Sequence, residues 1–294
     1  MNFRRAVFSE KAEILKLLVL CFPAVWKASA YFQKHLELEN SFIAEEEGVI
    51  VGHVGLVRMP VSDGLGGILT FDGVASVAVH PQFRKRGIAA ALCRIAASWS
   101  LANGAAALPL YTEFYPVYES CGWKKIPFLK PFVVSRKKER RDIIAVQTAG
   151  NNLSAGQQGK VKEFYANGRD FYGKICRERY GDAFDRNKIF NSAENHFFIY
   201  DGGYALLCDG AVAEIYTAKD SDNAFVADMI QQVLVDCGKD ELVFQLPFEF
   251  CSELENCGFQ CCETMADPFH HEGPMLLFGK ACSVVPAMPL ADKF

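Results

Sequence analysis

The chain has 294 residues, half of them hydrophobic and 24 of them phenylalanine, with a formal net charge of −4. That length accommodates two domains, each with its own core. The apolar content excludes a disordered chain, the acidic balance argues against a general nucleic-acid binder, and no apolar run reaches the ~20 residues that span a bilayer.

Asn2–Phe8 reads as a first strand. The apolar run Ile14–Trp26, preceded by Arg4 and Arg5 and followed by Ala28-Ser29-Ala30, imitates an export signal. Lys16 interrupts it, and Glu10 and Glu13 precede it, so a 3.6-residue period and a Ser9 N-cap favour an amphipathic helix. Strands follow over Ser41–Glu45 and Val49–Pro60, joined by a hairpin turn at Glu46–Gly48, and then over Ile68–His80. The eleven cysteines lie mostly alone in apolar stretches (Cys21, Cys93, Cys208), where a thiol behaves as a small hydrophobe. This usage suits a reducing cytosol, so a cytoplasmic location is expected. Cys251, Cys257, Cys261 and Cys262 with His270 and His271 lack paired C-x-x-C spacing, and Cys261 and Cys262 would point to opposite faces of a strand. No metal is expected there.

The most informative stretch is VAVHPQFRKRGIAAAL, residues 77–92. A strand end runs into a basic loop, one glycine and then a helix. Arg84, Lys85 and Arg86 supply positive charge, and Gly87 permits unusual dihedrals and close approach of the backbone to a ligand. The helix that follows aims unpaired N–H groups at a phosphate. Ile88, Ala91, Leu92, Ile95, Ala96 and Trp99 recur at the spacing of a helix packed on a sheet. Leu108–Thr112, within a strand Ala106–Thr112, leads to a short helix in Phe114–Trp123. Lys125–Val134 reads as a further strand, and SRKKERR, Ser135–Arg141, as a solvated connector.

Arg84, Gly87 and Ala89 after the V-A-V strand resemble motif A of the GNAT acyltransferase superfamily, Arg/Gln-x-x-Gly-x-Gly/Ala. Lys85 stands where many members carry glycine. FYPVYESCGW, Phe114–Trp123, is similar to the family's motif B, with Tyr118 at its tyrosine; Tyr111 stands where many members have asparagine. The resemblance covers residues 1–135 by motif and 145–285 by architecture. It implies an α+β fold, a mixed and mostly antiparallel GNAT-type sheet flanked by helices.

The second half reads as a repeat of this course. His196–Tyr200, Tyr204–Cys208, Ala211–Ala218 and Glu241–Pro247 read as strands and Phe225–Cys237 as a helix. LENCGF, Leu254–Phe259, echoes YESCGW, Tyr118–Trp123. Two tandem domains are therefore expected: 1–135, a linker 136–145, and 146–294. The loop YTAKDSDNAF, Tyr216–Phe225, has no glycine or arginine, and Asp220 and Asp222 would repel a pyrophosphate. The second half is expected to lack a coenzyme site and to shape or complete the first.

The resemblance implies an acetyl-CoA-dependent N-acyltransferase with acetyl-CoA as co-substrate. Carried over by residue, Val77, Ala78 and Val79 line the pantetheine arm, and the N–H of Val79 steadies the oxyanion. Residues Arg84, Lys85, Arg86, Gly87, Ile88 and Ala89 hold the pyrophosphate, and Tyr118 protonates the leaving thiolate. The base stays open among Glu113, Asp72, His80, His53 and the carboxylate of Phe294, with a packed core role the plainer one for His53. Acceptor choice falls to Cys21–Leu38 and Met59–Phe71. Partners are a small-molecule or peptide amine, without nucleic acid or membrane, and homo-oligomers are compatible. A non-catalytic acyl-CoA-sensing module and a protein-interaction module remain as alternatives.

Overall fold

A computed structural model describes residues 1–23, 36–125, 132–135, 148–150, 152–168, 172–177, 189–190, 192, 195–208, 210–218, 223–244, 254–256, 258–263 and 273–278. In chain order the first half holds β1 (Asn2–Arg5), α1 (Lys11–Cys21), β2 (Ser41–Glu46), β3 (Val49–Asp63), β4 (Ile68–Val79), α2 (Ile88–Ala102), β5 (Ala107–Thr112), α3 (Tyr115–Glu119), β6 (Lys124–Lys125) and β7 (Phe132–Ser135). The second half holds β8 (Thr148–Gly150), α4 (Ala155–Asn167), β9 (Tyr172–Ile175), β10 (Asn195–Tyr200), β11 (Gly203–Cys208), β12 (Ala211–Thr217), α5 (Asn223–Asp236), β13 (Glu241–Phe244), β14 (Gln260–Glu263) and β15 (Gly273–Phe278). The mixed, mostly antiparallel α+β class is as expected.

The first sheet runs β1-β2-β3-β4-β5-β15-β6, and the second runs β14-β7-β13-β12-β11-β10-β8. Written from the other edge, the second order matches the first strand for strand. The slot that β15 fills in the first sheet is filled by β7 in the second. Each half thus gives its last strand to the other. β15 lies along β5 from Gly273↔Thr112 to Phe278↔Ala107, and β7 lies between β13 and β14. The single strand expected over Lys125–Val134 is therefore corrected. It is β6 in one sheet and β7 in the other, and strands β7 and β15 both cross the expected boundary at 136–145. β9 adds a further crossing by pairing with the far end of β3, Val61↔Ile175 and Asp63↔Tyr172.

Local chemistry explains the elements that place the site. The β2–β3 hairpin turns at Glu47 (φ 52°) and Gly48 (φ 80°); positive φ at both central residues matches the right-handed twist of the strands. The chain entering α1 is capped differently from expectation. Ser9 lies within a 3₁₀ turn, Phe8–Glu10, and it is the Glu10 carboxylate that accepts the Val7 N–H at 2.8 Å. Helix α2 buries Ile88, Leu92, Cys93, Ala96, Ala97 and Ser100, a face rotated slightly from the expected stripe. It packs unusually close to β3: a Cβ on Gly52 would lie 2.9 Å from Ile88 Cγ2 and 2.9 Å from Leu92 Cδ1. Gly52 is therefore fixed by the approach of the helix to the sheet.

The echo between the halves is a structural equivalence. Trp123 N–H donates to Tyr118 O at 3.1 Å, and Phe259 N–H donates to Leu254 O at 3.0 Å. Gly122 (φ 100°) and Gly258 (φ 86°) make the same left-handed turn, and both following aromatics are buried. Cys261 packs against the second core while Cys262 is exposed, as strand alternation requires. Cys251, Cys257, His270, His271, Asp220, Asp222 and the connector after Ser135 lie outside the described residues.

Candidate functional site

Strands β4 and β5 run parallel, in register at Phe71↔Ala107, and the Ala106 N–H donates to Thr70 O at 2.8 Å. Beyond that point they separate. Further along, β4 carries a bulge: Gly55 faces Ala75 and His53 faces Ala78, so one residue of β3 stands against two of β4, and Ser76 takes φ 53°. Past the bulge the His80 N–H donates to Val51 O at 2.9 Å. By strand alternation Ala78 also turns its backbone groups to β3, while Val77 and Val79 turn theirs to the edge that β5 has left. The result is a V-shaped opening with backbone donors along one wall.

At the end of β4 the chain makes a 3₁₀ turn, Pro81–Phe83, then Arg84, Lys85, Arg86 and Gly87. Lys85 (φ 63°) and Gly87 (φ 76°) are both left-handed. The first α2 carbonyl acceptor is Gly87 O, taken by Ala91 N–H at 3.0 Å. The N–H groups of Ile88, Ala89 and Ala90 are thus the free donors of a helix start. A Cβ on Gly87 would meet nothing within 4 Å, so space lies open in front of these donors. The arginines bracket that space. Arg84 Nε donates to Val79 O at 3.1 Å, and Arg86 donates to Glu46 Oε1 at 3.0 Å with its guanidinium over the Phe83 ring. Open space, helix-end donors and three cations fit a pyrophosphate.

Tyr118 sits on α3, half-buried, with its ring edge-on to Trp123 at 6.3 Å between centroids. Two hydrogen bonds tie α3 to α2: the Cys121 thiol to Ala90 O at 3.4 Å and Arg94 to Ser120 O at 3.3 Å. The turn carrying Tyr118 is therefore fixed relative to the helix start described above. Glu113 is exposed just after β5.

Two of the expected base candidates, Asp72 and His53, are engaged elsewhere, and a third, His80, is engaged through one ring nitrogen. Asp72 is buried and takes two hydrogen bonds from Arg58, at 3.0 and 3.1 Å, and one from Ser100 Oγ at 2.6 Å. His80 Nδ1 accepts the Gln82 N–H as a local cap. His53 is fully buried, with Nδ1 2.9 Å from Ser76 O and Nε2 3.1 Å from Ser41 Oγ. Phe294 and residues 24–35 lie outside the described residues.

Burial pushes the His53 imidazole from 6.5 down to about 4. The folded protein therefore prefers the neutral ring. That contribution is complete above pH 6.5 and is lost as pH falls toward 4. The acid loss from this one group is expected to reach about 3 kcal/mol. Denaturant midpoints between pH 7 and 4 check this; the fall should be markedly shallower in His53→Asn.

In the second half β12 and β13 are likewise parallel, in register at Val212↔Phe244. Tyr165, Tyr204, Glu214 and Tyr216 are buried beneath this sheet. Sequence reading missed this polar cluster because α4 and β9 lack strong apolar periodicity.

Residues 2–126 match the family model of the acetyltransferase (GNAT) domain. None of the curated proteins compared with the chain matches it. Among solved structures, a probable N-acyltransferase from Enterococcus faecalis V583 is 16% identical with a TM-score of 0.66, over 95% of this chain and 73% of that one. Eis1 from Mycobacterium abscessus is 13% identical with a TM-score of 0.68, over 95% and 74%. A GCN5-related N-acetyltransferase from Kribbella flavida is 14% identical with a TM-score of 0.61, over 94% and 70%. These likenesses show a shared fold across both halves.

Proposed function

We propose that the chain moves an acetyl group from acetyl-CoA to a primary amine of a small molecule or peptide, because residues 2–126 match the family model of the acetyltransferase (GNAT) domain. The observation that carries this reading is the union of the V-shaped opening with the open, donor-rich start of α2. Arg84, Lys85, Arg86, Gly87, Ile88 and Ala89 hold the pyrophosphate, and Val77, Ala78 and Val79 run beside the pantetheine arm.

The amine nitrogen attacks the thioester carbonyl directly. The Val79 N–H stabilises the oxygen as it gains charge, since a preorganised donor in a dry site reorganises little. As the carbon–sulfur bond breaks, the sulfur keeps the electron pair and takes a proton from the Tyr118 hydroxyl. The amine surrenders its proton to solvent or to a nearby base; with Asp72 and His53 engaged, Glu113 and the Nε2 of His80 are the remaining described candidates.

Calorimetric titration with acetyl-CoA tests the reading. Micromolar binding is expected, with a loss on the order of 100-fold in Arg84→Ala/Arg86→Ala, as for two charge-assisted contacts. Unchanged affinity in that variant would remove the coenzyme from this loop. Tyr118→Phe should keep the affinity and lower turnover by about 100-fold; equal turnover would remove Tyr118 as the general acid, and acetyl-CoA binding without turnover in the unaltered chain would favour a sensing module.

A further inference from the structure

A non-glycine residue in the left-handed region resists its own backbone, so something must hold Ser76 there. The structure shows the clamp. His53, fully buried in β3, faces the bulge and places Nδ1 2.9 Å from Ser76 O. A carbonyl only accepts, so Nδ1 carries the proton. In the neutral ring Nε2 is then an acceptor, and its neighbour is Ser41 Oγ at 3.1 Å. The same hydroxyl lies 2.7 Å from Glu37 O, so its single proton serves either Glu37 or the ring.

Resting on the acyl-transfer reading above, we infer that His53 is a positioning residue: its bond to Ser76 O fixes the bulge and thereby aims the Val77 N–H at the pantetheine arm and the Val79 N–H at the thioester. The chain has no other described side-chain bond to the Ser76 carbonyl, and the two N–H groups sit one and three residues beyond it. Ser41 and Glu37 extend the clamp to the segment entering β2. The mechanism does not use His53 as acid or base. Its effect is on how well the Val79 N–H meets the carbonyl, not on how tightly the distant pyrophosphate is held.

The test uses the full chain and acetyl-CoA labelled with carbon-13 at the carbonyl, read by infrared difference spectroscopy. Donation by an aligned N–H lowers the carbonyl stretching frequency. The variants His53→Asn and His53→Gln divide the clamp. Asparagine carries its amide nitrogen at the same bond distance as Nδ1 and can still donate to Ser76 O, whereas glutamine carries it at the distance of Nε2 and reaches Ser41. Expected is a downshift in the unaltered chain, largely kept by Asn and lost by Gln and by His53→Phe, with acetyl-CoA affinity within about threefold throughout. Equal bands in Asn and Gln, or an unshifted effect in a folded Phe variant, overturn the positioning role alone. An unaltered chain that does not bind acetyl-CoA overturns the coenzyme reading and this role with it.

Discussion

A chain ending at residue 145 is expected not to form a stable first domain. Its sheet would lose β15, which pairs with β5 at six positions and separates β5 from β6. Met275 is fully buried in the same core as Leu108, Leu110 and Trp123. Removing it alone opens a methionine-sized void worth about 2–5 kcal/mol, and the Leu277 contact with the Gly122 turn goes too. β7 would meanwhile lose both strands that pair with it. Since domains hold only about 5–15 kcal/mol in all, the sum is enough to abolish cooperative unfolding. Circular dichroism and calorimetry should show no sharp transition for residues 1–145 and one for the full chain. Adding residues 146–294 as a separate polypeptide should restore part of it. A monomeric 1–145 fragment melting as sharply as the full chain would show that the exchanged strands are dispensable.

This exchange is the part of the fold that no local pattern carries. Alternation and turn residues locate β2, β3, β4, α2 and β5 to within a few residues, because each has one buried face against one partner layer. The basic loop is legible for a similar reason: Gly87, the cations and the helix stripe all lie within one short segment. The pairing of β15 with β5 has no such trace, since its six residues would suit either sheet. The bulge is equally silent, because a serine gives no hint of a left-handed backbone. His53 and Ser41 explain it only once the register is known. The same holds for Asp72, whose carboxylate is chemically suited to act as a base until Arg58 and Ser100 are seen to surround it.

Arg177→Ala is expected to cost about 3–5 kcal/mol, the toll of leaving one partner of a buried ion pair alone. The Arg177 side chain has no solvent exposure and that of Glu214 only 2%. The guanidinium binds both carboxylate oxygens, Oε1 through one nitrogen and Oε2 at 3.4 Å through another. It also lies over the Tyr165 ring at 4.0 Å. Tyr204 donates its hydroxyl to Glu214 Oε2 at 2.7 Å; burial and the Glu214 charge raise its pKa well above the ordinary value, so it remains a donor. Tyr165 in turn donates to Ile175 O at 2.7 Å, and the Cys176 N–H donates to Pro60 O at 2.8 Å. One short segment thus rivets the second sheet to the far end of β3. Two measurements separate a local from a coupled effect. Denaturant unfolding gives the loss in stability, and amide exchange at Cys176 reports whether β9 leaves β3. Both should worsen in Arg177→Ala, whereas Arg177→Met/Glu214→Leu, which removes both charges, should recover much of the stability. A single variant as stable as the unaltered chain would mean that water or a neighbouring cation takes over at Glu214.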